Sequence, residues 1–350
     1  MRQIAAFARL LEAAEGDAEV SDTTRAWHLK SRPSGTPTAD NFDLKEAPLP
    51  ELGEGMVRVR NAWLSVDPYM RGRMNDVKSY VPSFQVGAPM EGGAVGTVVE
   101  SRSEHLKEGE TVFHMLGWRE EAVGPAGQFN KVPPLGVAEH QWLGNLGLTG
   151  ATAYFGLLRV AEAKEGDTVF VSAAAGAVGS AVVQIAKARG MTVIGSAGGE
   201  EKCAFVREIG ADAAIDYKAG PLVKALAEAA PKGIDVYFDN VGGDHLDAAF
   251  ATARNNARFA ICGMIDNYNG GEPPAFRYIM RMISARIAMK GFIYTDYLPE
   301  MADFYRDMGG WIAGGQVRSR ETVRAGLEAM PEAFLDLFRG ANIGKMLVKL

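Results

Sequence analysis

Val169-Phe170-Val171-Ser172-Ala173-Ala174-Ala175-Gly176-Ala177-Val178-Gly179-Ser180 is the stretch on which the fold turns. An apolar strand runs into a turn of small residues, and the turn runs into the Ala-rich segment Val178–Ala188, which reads as a helix. Strand, glycine turn and helix in that order form a dinucleotide fingerprint, here with Ala174 in the first glycine slot and Gly176 and Gly179 in the others. Gly176 lets the backbone approach a pyrophosphate, and Gly179 lets the helix pack tightly on the strand. The helix N-terminus then offers free N–H groups and the positive end of its dipole to an anion. The glycine spacing alone is a weak signal, equally compatible with an ordinary tight turn. Its place inside a βαβ unit favours the phosphate loop.

The same alternation continues on both sides of the loop. Thr168–Ser172, Thr192–Ser196, Ala213–Asp216, Val236–Asp239 and Phe259–Cys262 are short apolar runs. Between them lie helical stretches at Val178–Ala188, Glu200–Ile209, Leu222–Ala230 and His245–Thr252. Strand and helix in alternation predict a doubly wound parallel sheet. A further strand is expected over Ile287–Tyr294, ahead of a mostly helical tail. Upstream, Arg25 to Pro134 has a different texture. Val57–Arg60, Gly93–Glu100 and Thr111–Phe113 read as strands, and Pro33, Pro48, Pro50, Pro68, Pro82 and Pro89 forbid long helices. This predicts a twisted, barrel-like β domain. The final run, Lys345–Leu350, is a strand with nothing after it to pair with, so a return to the first domain is expected. Residues 1–22 read as an extension outside the fold.

Composition narrows the function. The chain has 350 residues, 47% hydrophobic and 23% charged, with a formal net charge of −6 and two cysteines, Cys203 and Cys262. These are globular values, enough for about two domains. No basic block marks a nucleic-acid footprint. Two cysteines exclude a disulfide framework and a cysteine-rich zinc lobe. The most apolar window, Val169–Ala188, is broken by Ser172, Ser180, Gln184 and Lys187 and makes a poor membrane span. No convincing signal peptide opens the chain. The expectation is a soluble cytoplasmic protein with no membrane or nucleic-acid partner.

The nucleotide type is read at the end of the second strand. A free ribose 2′-hydroxyl calls for an acidic residue there. Ser196-Ala197-Gly198-Gly199 supplies none. Glu200 and Glu201 begin the next helix and read as first-turn charges that favour its dipole. Lys202 follows, either as a partner for a 2′-phosphate or as a solvated helix lysine. The small-residue run favours NADP(H) over NAD(H).

Several motifs carry a resemblance: Ser65-Val66-Asp67-Pro68-Tyr69-Met70-Arg71-Gly72-Arg73-Met74, Ala173–Gly179, Asp239-Asn240-Val241-Gly242-Gly243 and Asn342-Ile343-Gly344-Lys345. Over roughly residues 24–350 the chain resembles the zinc-independent branch of the medium-chain dehydrogenase/reductases. That branch holds the leukotriene hydroxydehydrogenase/prostaglandin reductases, the alkenal double-bond reductases and bacterial curcumin reductase. Where zinc-dependent members have a Gly-His-Glu ligand motif, this chain has Gly87-Ala88-Pro89-Met90-Glu91, with Met90 in place of the histidine. Leu64–Tyr69 replaces the segment that carries the zinc cysteine. No metal ligand is expected. The five histidines are scattered and read as surface or structural residues.

The resemblance implies an α/β fold: a Rossmann domain over residues 149–297, and a GroES-like β-barrel domain built from 23–148 and 298–350. It implies NADPH-dependent reduction of the C=C bond of α,β-unsaturated ketones and aldehydes. It also implies a homodimer in which the strand near Ile287–Tyr294 extends the sheet across the symmetry axis. Carried over by position, Gly176, Ala177, Val178 and Gly179 form the pyrophosphate loop. Lys202 and Tyr217 hold the 2′-phosphate, Asn240 and Asn342 contact the nicotinamide half, and Tyr268 lies beside the substrate carbonyl. Leu148-Thr149 departs from the resemblance, since several members carry a Met-Pro pair there. Tyr69 reads either as a pocket residue or as a core tyrosine beside a rigid Asp-Pro turn. Arg71 and Arg73 read as structural ion partners.

The implied chemistry places a hydride on the β-carbon. Charge then develops on the carbonyl oxygen, and donors aimed there are usually an enzyme's largest contribution. The expected donors are the Tyr268 hydroxyl and the ribose 2′-hydroxyl. Water or Tyr268 protonates the α-carbon. Two alternatives share the scaffold: an NADPH quinone reductase, and a non-catalytic NADPH-binding protein.

Overall fold

The computed structural model describes residues 22–133 and 136–350. The extension expected over residues 1–22 lies, except for Asp22, outside the described residues.

The chain opens with β1 (Thr23–Leu29), β2 (Phe42–Pro48) and β3 (Met56–Ser65). A short helix α1 (Tyr69–Arg73) leads to β4 (Ala94–Ser101), β5 (Thr111–His114), β6 (Glu121–Pro125) and β7 (Asn130–Lys131). Helix α2 (Leu148–Phe155) precedes the alternating half. That half contains β8 (Thr168–Val171), α3 (Ala177–Ala188), β9 (Thr192–Ala197), α4 (Glu200–Glu208) and β10 (Ala213–Asp216). It continues with α5 (Leu222–Ala229), β11 (Ile234–Asp239), α6 (Gly243–Thr252), β12 (Ala253–Ile261), α7 (Arg281–Ser284) and β13 (Ala288–Gly291). The tail holds α8 (Met301–Ala313), β14 (Glu321–Ala325), α9 (Met330–Arg339) and β15 (Lys345–Lys349).

The expected parallel sheet is present in the order β10-β9-β8-β11-β12-β13, every pairing parallel. Strand periodicity explains why it is covered on both faces. Val169, Val171, Val236 and Phe238 enter one core cluster with Val182 and Ile185 of α3. The intervening Phe170 and Tyr237 enter the other, with Leu226 of α5 and Phe250 of α6. Burying each of these large side chains contributes about 1.5–3 kcal/mol.

The first half is β-rich, as expected. Its larger sheet runs β14-β15-β3-β4-β5-β7, with β6 also paired to β3. The final strand does return: Leu347 and Val348 of β15 face Ser65 and Leu64 of β3 in an antiparallel pair. Gly176 and Gly344 form an isolated bridge, and the Gly344 amide donates to Ala175 O at 2.7 Å. The glycine turn after β8 is therefore stapled to the residues that lead into β15.

Two expectations need correction. The strand read over Ile287–Tyr294 covers only Ala288–Gly291. Phe292 leaves the sheet and packs where a Cβ on Gly156 would stand 2.3 Å from its ring. A 3-10 turn starts at Tyr294. Arg71 is no ion partner among the described residues. Its guanidinium donates to Asn269 Oδ1, Asn75 Oδ1 and Gly35 O, all neutral. Arg73 is paired as expected, with Glu91 at 2.8 Å.

Candidate active site

A cavity of about 1300 Å³ opens at the C-terminal ends of β8, β9 and β11, against β15 and α1. Ligands bind open α/β sheets in that crevice. Gly176, Ala177, Val178, Gly179, Lys202, Tyr217, Asn240, Asn342, Tyr268 and Tyr69 all line it. Residues from sequence positions 69 to 342 thus meet in one space.

The loop fits a pyrophosphate on its own geometry. A Cβ on Gly179 would stand 2.2 Å from Ala173 O and 2.8 Å from Ala174 Cα, so only glycine lets α3 start this close to β8. No acidic residue occupies the first turn of α3, leaving the dipole end open to an anion. The positive φ, 48°, falls on Ala173 rather than on Ala174 in the first glycine slot.

Beyond β9, one group of side chains gathers around Gly198. A Cβ there would meet the Tyr217 hydroxyl and Lys218 Cε, each at 2.9 Å. Lys202 Nζ donates to Gly340 O at 2.6 Å. Gly340 ends α9 in a left-handed conformation, so the ammonium caps a helix C-terminus. Burial and the neighbouring Lys218 charge both lower the Lys202 pKa. A cationic pair therefore stands where an acidic residue would read a free ribose hydroxyl. Lys218 escaped the sequence reading, although it follows Tyr217 directly.

Two asparagines come from distant parts of the chain, one after β11 and one before β15. Asn240 Nδ2 donates to Ser172 O at 2.8 Å, and Asn342 Nδ2 donates to Gly344 O at 2.9 Å. Each amide spends one of its two N–H groups this way and keeps the other N–H to donate and its carbonyl oxygen to accept.

A second group holds Tyr69, Tyr268, Tyr80, Cys262 and Tyr294, all lining the cavity. The Tyr268 hydroxyl lies against Gly263, where a Cβ would be 2.7 Å away. Burial pushes Tyr268 up to about 12, offset in part by the Met264 amide. Tyr69 is raised further, by burial and then by the Asp67 charge. Its hydroxyl is buried with no hydrogen-bond partner among the described residues. The Tyr69 side chain lines the cavity while its hydroxyl is turned into the protein, so both readings of Tyr69 keep a part of it. Tyr80 stands at the rim, 63% exposed. No apolar run leads to Tyr80, and Cys262 entered the sequence reading only as the end of a strand and one of two cysteines, so neither was picked out as a site residue. Burial raises the Cys262 thiol to about 12, so it stays protonated at neutral pH. Thr149, the second residue of the pair at which the chain was expected to depart from the resemblance, spends its hydroxyl on Gly144 O.

Met90 is fully buried in the apolar core of the first half. It has no ligand chemistry to offer a zinc ion.

Such a crevice, with a glycine turn at a helix start and Lys202 in its wall, is that of a dinucleotide-dependent oxidoreductase. Comparison with known proteins agrees. Residues 25–132 match the family model described as the N-terminal domain of oxidoreductase, and residues 177–308 match the zinc-binding dehydrogenase model. The chain is 40% identical to the NADPH-dependent curcumin reductase of Escherichia coli, over 93% of this chain and 96% of that protein. It is 40% identical to the NADP(+)-dependent 2-alkenal reductase of tobacco, over 91% of this chain and 95% of that one. The crystal structure of CurA from Vibrio vulnificus in complex with NADPH superposes with a TM-score of 0.88 at 41% identity, covering 93% of this chain and 98% of that chain. The chain belongs to the zinc-independent alkenal reductase branch of the medium-chain dehydrogenase/reductase family, and its cofactor is NADP(H).

Proposed function

We propose that the protein reduces the C=C bond of α,β-unsaturated ketones and aldehydes. The observation that carries this reading is the half-buried Tyr268, which lines the same cavity as the phosphate loop, with Tyr69 beside it in the lining. Burial holds the Tyr268 phenol protonated at neutral pH, so it is a hydrogen-bond donor. Developing negative charge on a carbonyl oxygen needs a donor of that kind. The names of the relatives, curcumin reductase and 2-alkenal reductase, point to the same substrate class.

In this reading Gly176 to Gly179 hold the pyrophosphate through backbone N–H groups. Lys202 and Tyr217 take the 2′-phosphate. The free carbonyl oxygens of Asn240 and Asn342 accept from the carboxamide amine of the nicotinamide half. Bound NADPH supplies the hydride. Tyr268 stabilises the enolate oxygen left on the substrate and, with water, is the source of the α-carbon proton. Tyr69 lines the substrate pocket. Residues 149–297 form the cofactor domain, and residues 23–148 with 298–350 the substrate-side domain.

The assembly we propose is a homodimer in the cytoplasm. All four residues of the edge strand β13 are exposed, and Met280 and Ile283 nearby are 69% and 72% exposed. An open strand edge beside apolar side chains is the kind of surface a second copy covers. Among the described residues no helix is long and apolar enough to cross a membrane.

A panel of alkenals, aryl enones and quinones, with NADPH oxidation followed, tests the substrate class. Turnover of enals or enones is expected. Turnover of quinones alone would replace this reading with a quinone reductase. No turnover, despite NADPH binding, would leave a binding protein.

A further inference from the structure

We propose that Lys345 is a positioning residue for the reaction: through Asp67 and Val66 it holds the turn that carries Tyr69, a wall of the substrate pocket, in place against the phosphate loop. The proposal rests on the enone-reductase reading. Lys345 Nζ donates to Val66 O and to Asp67 Oδ1, each at 2.9 Å. The other carboxylate oxygen, Asp67 Oδ2, accepts from the Ser65 hydroxyl. Val66, Asp67, Tyr69 and Lys345 all line the cavity. Asp67 and Pro68 lead directly into α1, where the Met70 N–H donates to Asp67 O at 3.1 Å. The ammonium therefore grips two consecutive residues of the turn just ahead of Tyr69.

The ion pair is buried, with the Lys345 and Asp67 side chains 6% and 9% exposed. Taking two charges out of water offsets most of their attraction, and an apolar pair of similar volume is often as stable. A displacement of either partner, by contrast, strands a buried charge, so the pair holds its geometry firmly. Burial and then the Asp67 charge raise the pKa values of Tyr69 and Tyr294, which places the carboxylate beside two phenols of the cavity wall.

The other end of the link is equally short. Gly344 precedes Lys345, and its N–H donates to Ala175 O in the phosphate loop at 2.7 Å. Gly344 has φ 69°, and a Cβ there would stand 1.9 Å from Arg320 O. The Lys345 N–H donates to that same oxygen at 2.9 Å. From the phosphate loop to the Tyr69 turn, the connection runs through two adjacent residues whose backbone is pinned on both sides. A cofactor seated on the loop and a substrate seated against Tyr69 are held in register by it. Reaction needs the reacting atoms about 3–3.5 Å apart, and a misplacement of about 1 Å costs about 100-fold in rate.

The test compares wild type with Lys345→Met and with the double variant Lys345→Met/Asp67→Asn. The single variant strands a buried carboxylate and is expected to unfold more easily. The double variant removes both charges together, so it separates position from stability. The measurements are the denaturant midpoint, NADPH affinity, kcat and KM for one aryl enone, and the isotope effect on kcat with NADPH deuterated at the transferred position. The double variant is expected to fold and to bind NADPH as wild type does, while kcat falls by about 10- to 100-fold. KM should change far less than kcat, and the isotope effect should rise as hydride transfer becomes the slow step. A double variant with wild-type kcat overturns the proposal. So does a double variant that unfolds or loses NADPH affinity in parallel with kcat, since the pair would then be a prop of the whole cleft. Wild type that binds NADPH but turns over no enone overturns the enone-reductase reading, and this proposal with it. An active wild type with an equally active double variant overturns this proposal alone.

Discussion

Lys202 donates to a carbonyl from the far side of the cleft, which fixes its ammonium in the cavity wall, within reach of the Lys218 charge. Only NADPH carries a 2′-phosphate for it to meet. Lys202→Ala should therefore weaken NADPH by about 10- to 100-fold, the range of a charge-assisted hydrogen bond. Lys218 remains as a second cation, so the lower end is expected. NADH affinity should change little. Titration of both cofactors by fluorescence checks this, and equal losses would remove Lys202 from the 2′-site. At this scale the sequence spoke wherever chemistry is local. The glycines, Lys202, the asparagines and Tyr268 sit in short motifs, and all line the cavity. Tyr80 and Lys218 did not stand out, because their significance comes from neighbours far along the chain. The left-handed φ of Ala173 was equally hidden, since alanine gives no hint of it.

At the scale of elements, α1 carries Tyr69, and the turn after β12 carries Tyr268. Arg71 joins them: its Nε donates to Asn269 Oδ1 at 3.2 Å, one residue past Tyr268. The expectation of an ion pair missed this because Arg71 is satisfied entirely by amide and backbone oxygens. Arg71→Met should loosen the Tyr268 turn and cost about 1.5–3 kcal/mol of stability, the range for hydrogen bonds to a charged group. Enone turnover should fall while NADPH affinity holds. Denaturant midpoints, kinetics and cofactor titration on the same variant check all three, and unchanged turnover would show that Arg71 does not position Tyr268. Strands of the parallel sheet were legible from apolar runs buried on both faces. The edge strand β13 was overextended because Phe292 and Ile293 prolong its apolar pattern after the pairing with β12 has ended.

For the whole molecule, two buried histidines set the response to acid. Leu116 N–H donates to His114 Nδ1, and His114 Nε2 faces Asn61 Oδ1 at 2.8 Å. Protonating Nδ1 would break the first of these bonds. Burial, and then the Arg119 charge, pull the His114 pKa down to about 3, and burial pulls His245 down to about 4. Below the ordinary histidine pKa of about 6.5 the unfolded chain binds these protons and the folded chain does not. Stability is therefore complete above that pH. It falls as pH drops toward 4, by about 1.4 kcal/mol per unit for each histidine. The melting temperature should be steady from about pH 7 to 8 and decline below about pH 6.5. A curve flat down to pH 4.5, about two units lower, would contradict the buried neutral rings.

The central claim is that hydride from NADPH reaches the β-carbon of an enone. The most direct measurement reduces an aryl enone with NADPH deuterated at nicotinamide C4, each diastereomer in turn, and locates the label in the product by NMR. One diastereomer should deliver deuterium to the β-carbon of a saturated ketone, with a solvent proton on the α-carbon. Deuterium on a carbinol carbon, with the double bond intact, would contradict the account and make the protein a carbonyl reductase.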